Sequence, residues 1–393
     1  MLQITELLQL LINTSSIQTL SENVNLISRS AQRYSDNMPP VVVWNINRRC
    51  NMTCPHCYAS ASLRPKFDGI STAEALSVVD KLKAYNVPIL IFSGGEPLLR
   101  DDHLKLIQYA TDQGITCHLS TNGTLITAKK AQELKSVGIG YVGISIDGEP
   151  EFNDSYRGLK DGYNLAMAGA LNAKEAGLKV GIRMTVSAKN QEQLFSLLDE
   201  VIERGISRFY LSHLVYGGRG KGFSKYDLSK NQCRELMEQV FDRAITLIEE
   251  DKPIGIVSGG NDADGAFLHL YAKKRFGDSK ADMILKLLEK RKGNSAGEKV
   301  INVDYKGNVH PDQFWQTSDC GNILNQSLAD IFQSKLLVDL KNRTAYLKGK
   351  CAACAYINIC RGSHRERALI KYDDLWQEDP ACYLTKEEVD VSL

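Results

Sequence analysis

Seven of the ten cysteines in this 393-residue chain fall into two groups spaced like metal ligands. The first, Cys50-x3-Cys54-x2-Cys57-Tyr58, gathers three thiols on one short segment. Three thiolates on a single loop can bind three irons of a cubane and leave the fourth without a protein ligand, the open position that marks a reactive metal site. A zinc ion completed by His56 is the alternative, although zinc motifs favour paired C-x2-C units over an x3/x2 triplet. The second group, Cys351-x2-Cys354-x5-Cys360-x21-Cys382, supplies four thiols. That is enough to close every iron of a 4Fe–4S cluster or to surround one zinc. Cys117, Cys233 and Cys320 stand alone and read as small buried hydrophobes; a single extra thiol at Cys320 does not make another site.

The elements that must position these groups follow a regular cadence. Short β-branched runs at 41–46, 88–93, 115–120, 141–146, 179–186 and 208–213 alternate with helical patterns near 71–86, 101–113, 127–137, 161–176 and 190–204. Strand–helix alternation of this kind predicts βαβ units and a parallel sheet. Six units in this length suit an open, partial (β/α)6 TIM-type barrel, since a full eightfold barrel takes about 250 residues. The first cysteine group directly follows the first strand, on the face where such barrels carry their active sites. The cadence stops near residue 215. A Gly-rich stretch (216–222), a long helical pattern near 229–250, the segment SGGNDADG (258–265) and two short strand-like runs around Lys306-Gly307-Asn308 come next. The cysteine-rich end has little apolar periodicity, as expected where metal ligation replaces a hydrophobic core. The expected division is an N-terminal helical extension (1–38), a barrel (39–250) and a small C-terminal iron–sulfur domain (251–393).

The 48 basic and 47 acidic residues nearly cancel, so nothing in the overall charge points to nucleic acid or to an anionic membrane. The N-terminus lacks a basic n-region and a cleavage site and reads as an amphipathic helix. No segment approaches the roughly 18 uninterrupted apolar residues of a membrane span. The expectation is a cytoplasmic protein with reduced thiols.

The triplet at Cys50, Cys54 and Cys57 resembles the C-x3-C-x2-C signature of the radical S-adenosylmethionine (SAM) superfamily, with His56 where most members carry an aromatic residue. Ser93-Gly94-Gly95-Glu96-Pro97 resembles the family's clamp on the SAM amino group. The glycines permit close backbone approach, and Glu96 offers an acceptor for the ammonium. The resemblance implies ribose contacts from Ser120 and Asn122, in Ser120-Thr121-Asn122-Gly123, and carboxylate contacts from Ser145 and Arg157, with Arg183 a weaker candidate; a surface ion pair is the other reading of Arg157. The second cysteine group resembles the auxiliary-cluster domains called SPASM or twitch, here with one 4Fe–4S cluster. The cofactors implied are thus a SAM-binding 4Fe–4S cluster, an auxiliary 4Fe–4S cluster and SAM, with flavodoxin or ferredoxin as electron donor.

Phrases outside the SAM machinery, among them VVVWNINRRCN, FYLSHLVYGGRG, GGNDADG, VHPDQFW and DPACYLT, resemble the branch of the superfamily that modifies iron tetrapyrroles: the NirJ-type enzymes of haem d1 biosynthesis and the AhbC-type enzymes of the alternative haem pathway. The chain departs from that branch in Arg361-Gly362, where Gly-Gly is usual, and in Cys320. The resemblance implies removal of propionate side chains from didecarboxysirohaem, or of acetate side chains in the alternative. A peptide-maturing enzyme is a third possibility, but one would expect a leader-binding domain before the first strand, where about 38 residues stand. A polycarboxylate substrate calls for cationic forks. Arg219 and Lys221 in GGRGKG, with Arg48 and Arg49, are candidates, and His213 and His310 are the candidates for approaching the tetrapyrrole iron.

Overall fold

A computed structural model describes residues 1–13, 39–252 and 254–390 of the chain. The expected helix near the N-terminus is present as α1 (Ile4–Asn13), preceded by a short strand, β1 (Leu2–Gln3); the rest of the expected extension lies outside the described residues. The alternating part runs β2 (Val41–Asn45), α2 (Thr72–Ala84), β3 (Ile89–Ser93), α3 (His103–Asp112), β4 (Thr116–Thr121), α4 (Ala128–Ser136), β5 (Ile139–Ser145), α5 (Pro150–Arg157), α6 (Gly162–Glu175), β6 (Lys179–Val186), α7 (Leu194–Glu203) and β7 (Arg208–His213). Local chemistry sets several boundaries. Ser71 and Glu74 close a capping box at the start of α2, and Thr127 caps α4 through the Lys130 amide. Gly158, in the left-handed region, ends α5.

All six expected strands pair in parallel, and the sheet continues past residue 250. After α8 (Lys230–Glu249), β8 (Gly255–Gly259) adds a seventh parallel strand beside β7, and β1 covers its outer edge in antiparallel pairing. At the other end β9 (Val300–Val303) pairs in parallel with β2, and β10 (Asn308–His310) and β11 (Gly321–Asn322) extend it antiparallel. The order is β1-β8-β7-β6-β5-β4-β3-β2-β9-β10-β11, an open sheet rather than a closed barrel. The boundary expected at residue 250 therefore falls inside one continuous sheet. Thr5 fastens α1 to β8 by donating its hydroxyl to the Ile254 carbonyl (2.7 Å) and accepting the Ile256 amide (3.0 Å).

The longest of the helices not foreseen are α9 (Ala263–Phe276) and α10 (Asp278–Arg291). The first buries Ala263 through Leu268 in succession, so its sequence shows no one-sided apolar period. After β11 come α11 (Lys335–Lys341), several single turns, and α12 (Arg365–Tyr372). The C-terminal segment is packed partly on arginines: Arg343, Arg365 and Arg367 are among the largest fully buried side chains. Among the described residues no helix is long and apolar enough to cross a membrane.

Candidate active site

The segment carrying Cys50, Cys54 and Cys57 leaves the end of β2 and is held on several sides by neighbouring loops. The Cys50 amide donates to Ser62 O (3.0 Å) and the Thr53 amide to Arg157 O (2.9 Å). The loop after β3 lies flat against it: the Gly95 amide reaches Asn47 O (3.0 Å) and the Glu96 amide Arg49 O (2.7 Å). A Cβ at Gly94 would stand 2.6 Å from Asn47 O, and one at Gly95 2.2 Å from Arg49 O. The close approach that requires both glycines is thus to the cysteine segment itself.

Cys50 and Cys54 are buried, Cys57 is partly buried, and all three thiols are free. Burial, with Glu96 nearby, pushes the Cys50 thiol up to about 12, and burial raises Cys54 as well. A thiolate here therefore needs a strong local cation, which irons supply. The Asn122 amide side chain lies 3.9 Å from Cys50 Sγ and donates to Asn51 Oδ1 at 2.7 Å. His56, the fourth ligand in the zinc alternative, is engaged elsewhere. Its Nε2 is 3.3 Å from Asp147 Oδ2, and its ring stacks on Tyr156 with centroids 5.0 Å apart. The triplet fits a cubane, whose irons take one thiolate each.

Asp147, at the end of β5, was missed from the sequence although it stands at a strand end in SIDG. It is buried and receives Arg157 Nη1 (2.8 Å) and the Thr185 amide (2.8 Å) in addition to His56. Burial alone would raise its carboxyl, but His56 and Arg157 hold it at about 2. Arg157 is thus in a buried ion pair, not a surface one, with its Nε against Met52 Sδ (3.4 Å). Glu96 has no exposed surface, and its carboxylate accepts from Leu98 N (3.1 Å), Thr121 Oγ1 (2.7 Å) and Asn122 N (2.8 Å). Most of its acceptor capacity ties the β3 and β4 loops together, so it reaches the cofactor side less freely than expected. Ser120 accepts a hydrogen bond from Arg183 (2.7 Å), and Ser145 is the register partner of Arg183 on the adjacent strand. Gly143 makes room for that guanidinium, which a Cβ would approach to 2.3 Å. Arg183 thereby joins Ser120 and Ser145 in one polar patch.

Three of the four substrate candidates need correction. His213 is a buried core residue whose Nε2 is 3.0 Å from Asp264 Oδ2, while Asp264 also accepts from Ser258 (2.6 Å) and Tyr383 (2.7 Å). Burial would lower His213, but Asp264 raises it well above its ordinary value, so the pair is a satisfied internal ion pair. His310 is equally buried, with Nδ1 3.0 Å from Ser318 O and Nε2 3.5 Å from Asp304. Arg219 is not a free cation at a mouth: its guanidinium donates to Cys54 O (2.9 Å) and Ala61 O, and its amide to Cys57 O (3.0 Å). At Gly218, with φ +55°, a Cβ would meet Tyr58 O at 2.2 Å. The Gly-rich loop after β7 is a strap across the cysteine segment. Lys221 alone remains exposed. Arg48 and Arg49 are also tied down, to Ser60 O and to Leu99 O and Asp68.

Cys351, Cys354, Cys360 and Cys382 line one cavity, with Lys350 and Asp379 on its wall. Lys350 Nζ is anchored on the Cys382 (3.2 Å) and Leu384 (3.0 Å) carbonyls. Burial pushes Cys351 up to about 11 and raises Cys360 well above the usual thiol range. Four thiols converging on one space, two buried and two partly buried, fit a closed cluster. Cys320 lies away from it in the apolar core, as do Cys117 and Cys233.

Residues 44–201 match the family model described as the radical SAM superfamily, and residues 295–355 match SPASM, an iron–sulfur cluster-binding domain. The chain is 38% identical over 363 residues to Fe-coproporphyrin III synthase of Methanosarcina barkeri, covering 91% of each. It is 40% identical to pre-heme d1 synthase of Dinoroseobacter shibae, covering 89% of this chain and 87% of that one. The chain belongs to the radical SAM superfamily. This radical SAM enzyme carries a SAM-binding 4Fe–4S cluster, SAM and a SPASM domain for auxiliary iron–sulfur chemistry. Its fold is shared with Streptococcus suis SuiB bound to its precursor peptide SuiA (TM-score 0.70, 18% identity, 95% of this chain and 82% of that one). It is shared likewise with anSMEcpe bound to AdoMet and a peptide (TM-score 0.67, 19% identity, 88% and 94%).

Proposed function

We propose that this enzyme acts on an iron tetrapyrrole and removes propionate side chains from didecarboxysirohaem on the way to haem d1. The observation that carries the reading is the 40% identity to pre-heme d1 synthase over nearly the whole length of both chains. The near-equal likeness to Fe-coproporphyrin III synthase favours a second reading, removal of acetate side chains from the same substrate. Peptide relatives are more distant: the mycofactocin maturase of Mycolicibacterium smegmatis is 27% identical.

In this reading Cys50, Cys54 and Cys57 hold the cluster that binds SAM, and Cys351, Cys354, Cys360 and Cys382 hold the auxiliary one. When bound, cluster and SAM supply a 5′-deoxyadenosyl radical for hydrogen abstraction. The chain's own residues do the rest. Gly94, Gly95 and Glu96 fix the cysteine segment, and Asn122 orients toward Cys50. Ser120, Ser145 and Arg183 offer polar contacts to SAM, and Asp147 holds Arg157 beside the triplet. A flavodoxin or ferredoxin would deliver the electron, in a cytoplasm that keeps thiols reduced. The test is to incubate the reduced enzyme with SAM and didecarboxysirohaem and to determine the mass of the tetrapyrrole product. Propionate loss is expected; acetate loss with the propionates intact selects the second reading, and an unchanged tetrapyrrole alongside SAM cleavage rejects both.

A further inference from the structure

If the substrate is an iron tetrapyrrole, its iron needs an axial ligand, for which histidine is the common choice. Most of the seven histidines are engaged at one ring nitrogen, and the second nitrogens of His56, His103 and His310, although without a hydrogen bond, are fully buried. His213 and His310 are core residues, and His56 faces Asp147. His103 bonds Arg100 O and His269 bonds the Tyr356 hydroxyl. On β4, His118 lies edge-on to Tyr141. His364 differs. It stands just before α12, 8% exposed, with Nδ1 3.6 Å from Asp312 Oδ2, and its Nε2, which takes no hydrogen bond, is not among the fully buried unpartnered nitrogens.

Asp312 is itself fixed, because its Oδ1 accepts the Phe314 (2.9 Å) and Trp315 (3.1 Å) amides. A carboxylate at one ring nitrogen and an open second nitrogen is the arrangement that orients a metal-ligating histidine. Its position is also suitable. Phe314 makes edge-on ring contacts with His364 (5.6 Å) and with Tyr58 (5.3 Å), the residue after Cys57. An iron held at His364 would thus lie within two ring contacts of the cysteine segment, and the macrocycle's rim could extend toward it.

We infer that His364 is the protein ligand to the substrate's iron, oriented by Asp312. The inference rests on the tetrapyrrole reading above. Its test is anaerobic titration of the cluster-loaded enzyme with ferric coproporphyrin III and, separately, with metal-free coproporphyrin III, followed by absorption and electron paramagnetic resonance. The wild type should bind both and show an imidazole-ligated ferric signature. His364→Ala should retain its cluster iron, bind the metal-free probe as before and lose that signature, with added imidazole restoring it. Asp312→Asn should weaken the ferric probe on the order of tenfold and leave the metal-free probe unaffected; it carries the test should His364→Ala fail to fold. Unchanged ferric spectra in His364→Ala, or equal ferric affinity in Asp312→Asn, would overturn the assignment and leave the tetrapyrrole reading standing. Binding of neither probe to the wild type would overturn that reading, and this inference with it.

Discussion

The two cysteine sites gather thiols by different means. Around Cys50, Cys54 and Cys57 the barrel does most of the work: the loop after β3, the end of α5 and the strap carrying Arg219 all bond the segment's main chain. Around Cys351, Cys354, Cys360 and Cys382 regular structure is sparse, and the walls of the cavity are single turns and connecting chain. That segment is fastened to the rest of the molecule at a few buried polar points. Arg367 binds Asp379 through two hydrogen bonds (2.9 and 2.6 Å) and reaches across to Leu214 O at 2.9 Å. Asn261 adds a bond to Ala381 O at 2.9 Å. A scaffolded site should survive loss of its metal, whereas a site whose walls are mostly connecting chain should depend on it.

The sharpest way to break this contrast is to remove the ligands. Replacing Cys351, Cys354, Cys360 and Cys382 with Ala should remove about four of about eight irons and loosen residues 343–390, read as faster amide exchange there. Replacing Cys50, Cys54 and Cys57 should remove the other irons and abolish reductive SAM cleavage while barrel exchange stays unchanged. Stoichiometric zinc at the C-terminal site would contradict the cluster assignment. Equal loosening of both regions would show that the scaffold argument is wrong.

A smaller effect is expected from the fastening itself. Asp379→Ala leaves Arg367 buried and unpaired, which costs about 3–5 kcal/mol, measurable by chemical denaturation. The Asp379 carboxyl, although burial would raise it, is held at about 2 by Arg367. Its stabilising contribution should therefore be complete above its unfolded value near 4 and disappear as pH falls from about 4 toward 2. Asp147, also held at about 2, should add to the same acid transition. An acid transition that Asp379→Ala leaves unaltered would count against this assignment.

The smallest expected change is at the strap. Arg219→Ala removes the guanidinium bonds to the Cys54 and Ala61 carbonyls, and charged hydrogen bonds contribute roughly 1.5–3 kcal/mol. Iron should then leave the first site faster under chelator while the auxiliary iron is lost at its ordinary rate. Identical loss from the first site in variant and parent would reduce the strap to a passive contact.

The residues that carry chemistry were legible from order and spacing. The Cys50 triplet, the four C-terminal cysteines and all six strands of the expected barrel stand where the sequence placed them, because ligand spacing and strand periodicity are local properties. The fates of His213, Arg219 and Glu96 were not legible. Each is polar, each lies near a strand end, and nothing local distinguishes a side chain turned toward a ligand from one that braces the fold. Asp264, 51 residues after His213, turns that histidine into a core ion pair. Main-chain carbonyls 158 and 165 residues before Arg219 turn that arginine into a strap.

The sequence by itself determined the inventory: two thiol groups, a parallel α/β sheet and the glycines that let loops meet. Tertiary structure decided the assignments. It carried the sheet past residue 250, buried Asp147 beneath the cysteine segment and left His364 with an uncommitted nitrogen beside Phe314. The reason is that burial and partner choice depend on contacts between residues far apart in the chain, and a buried polar group takes whichever partner the fold brings to it.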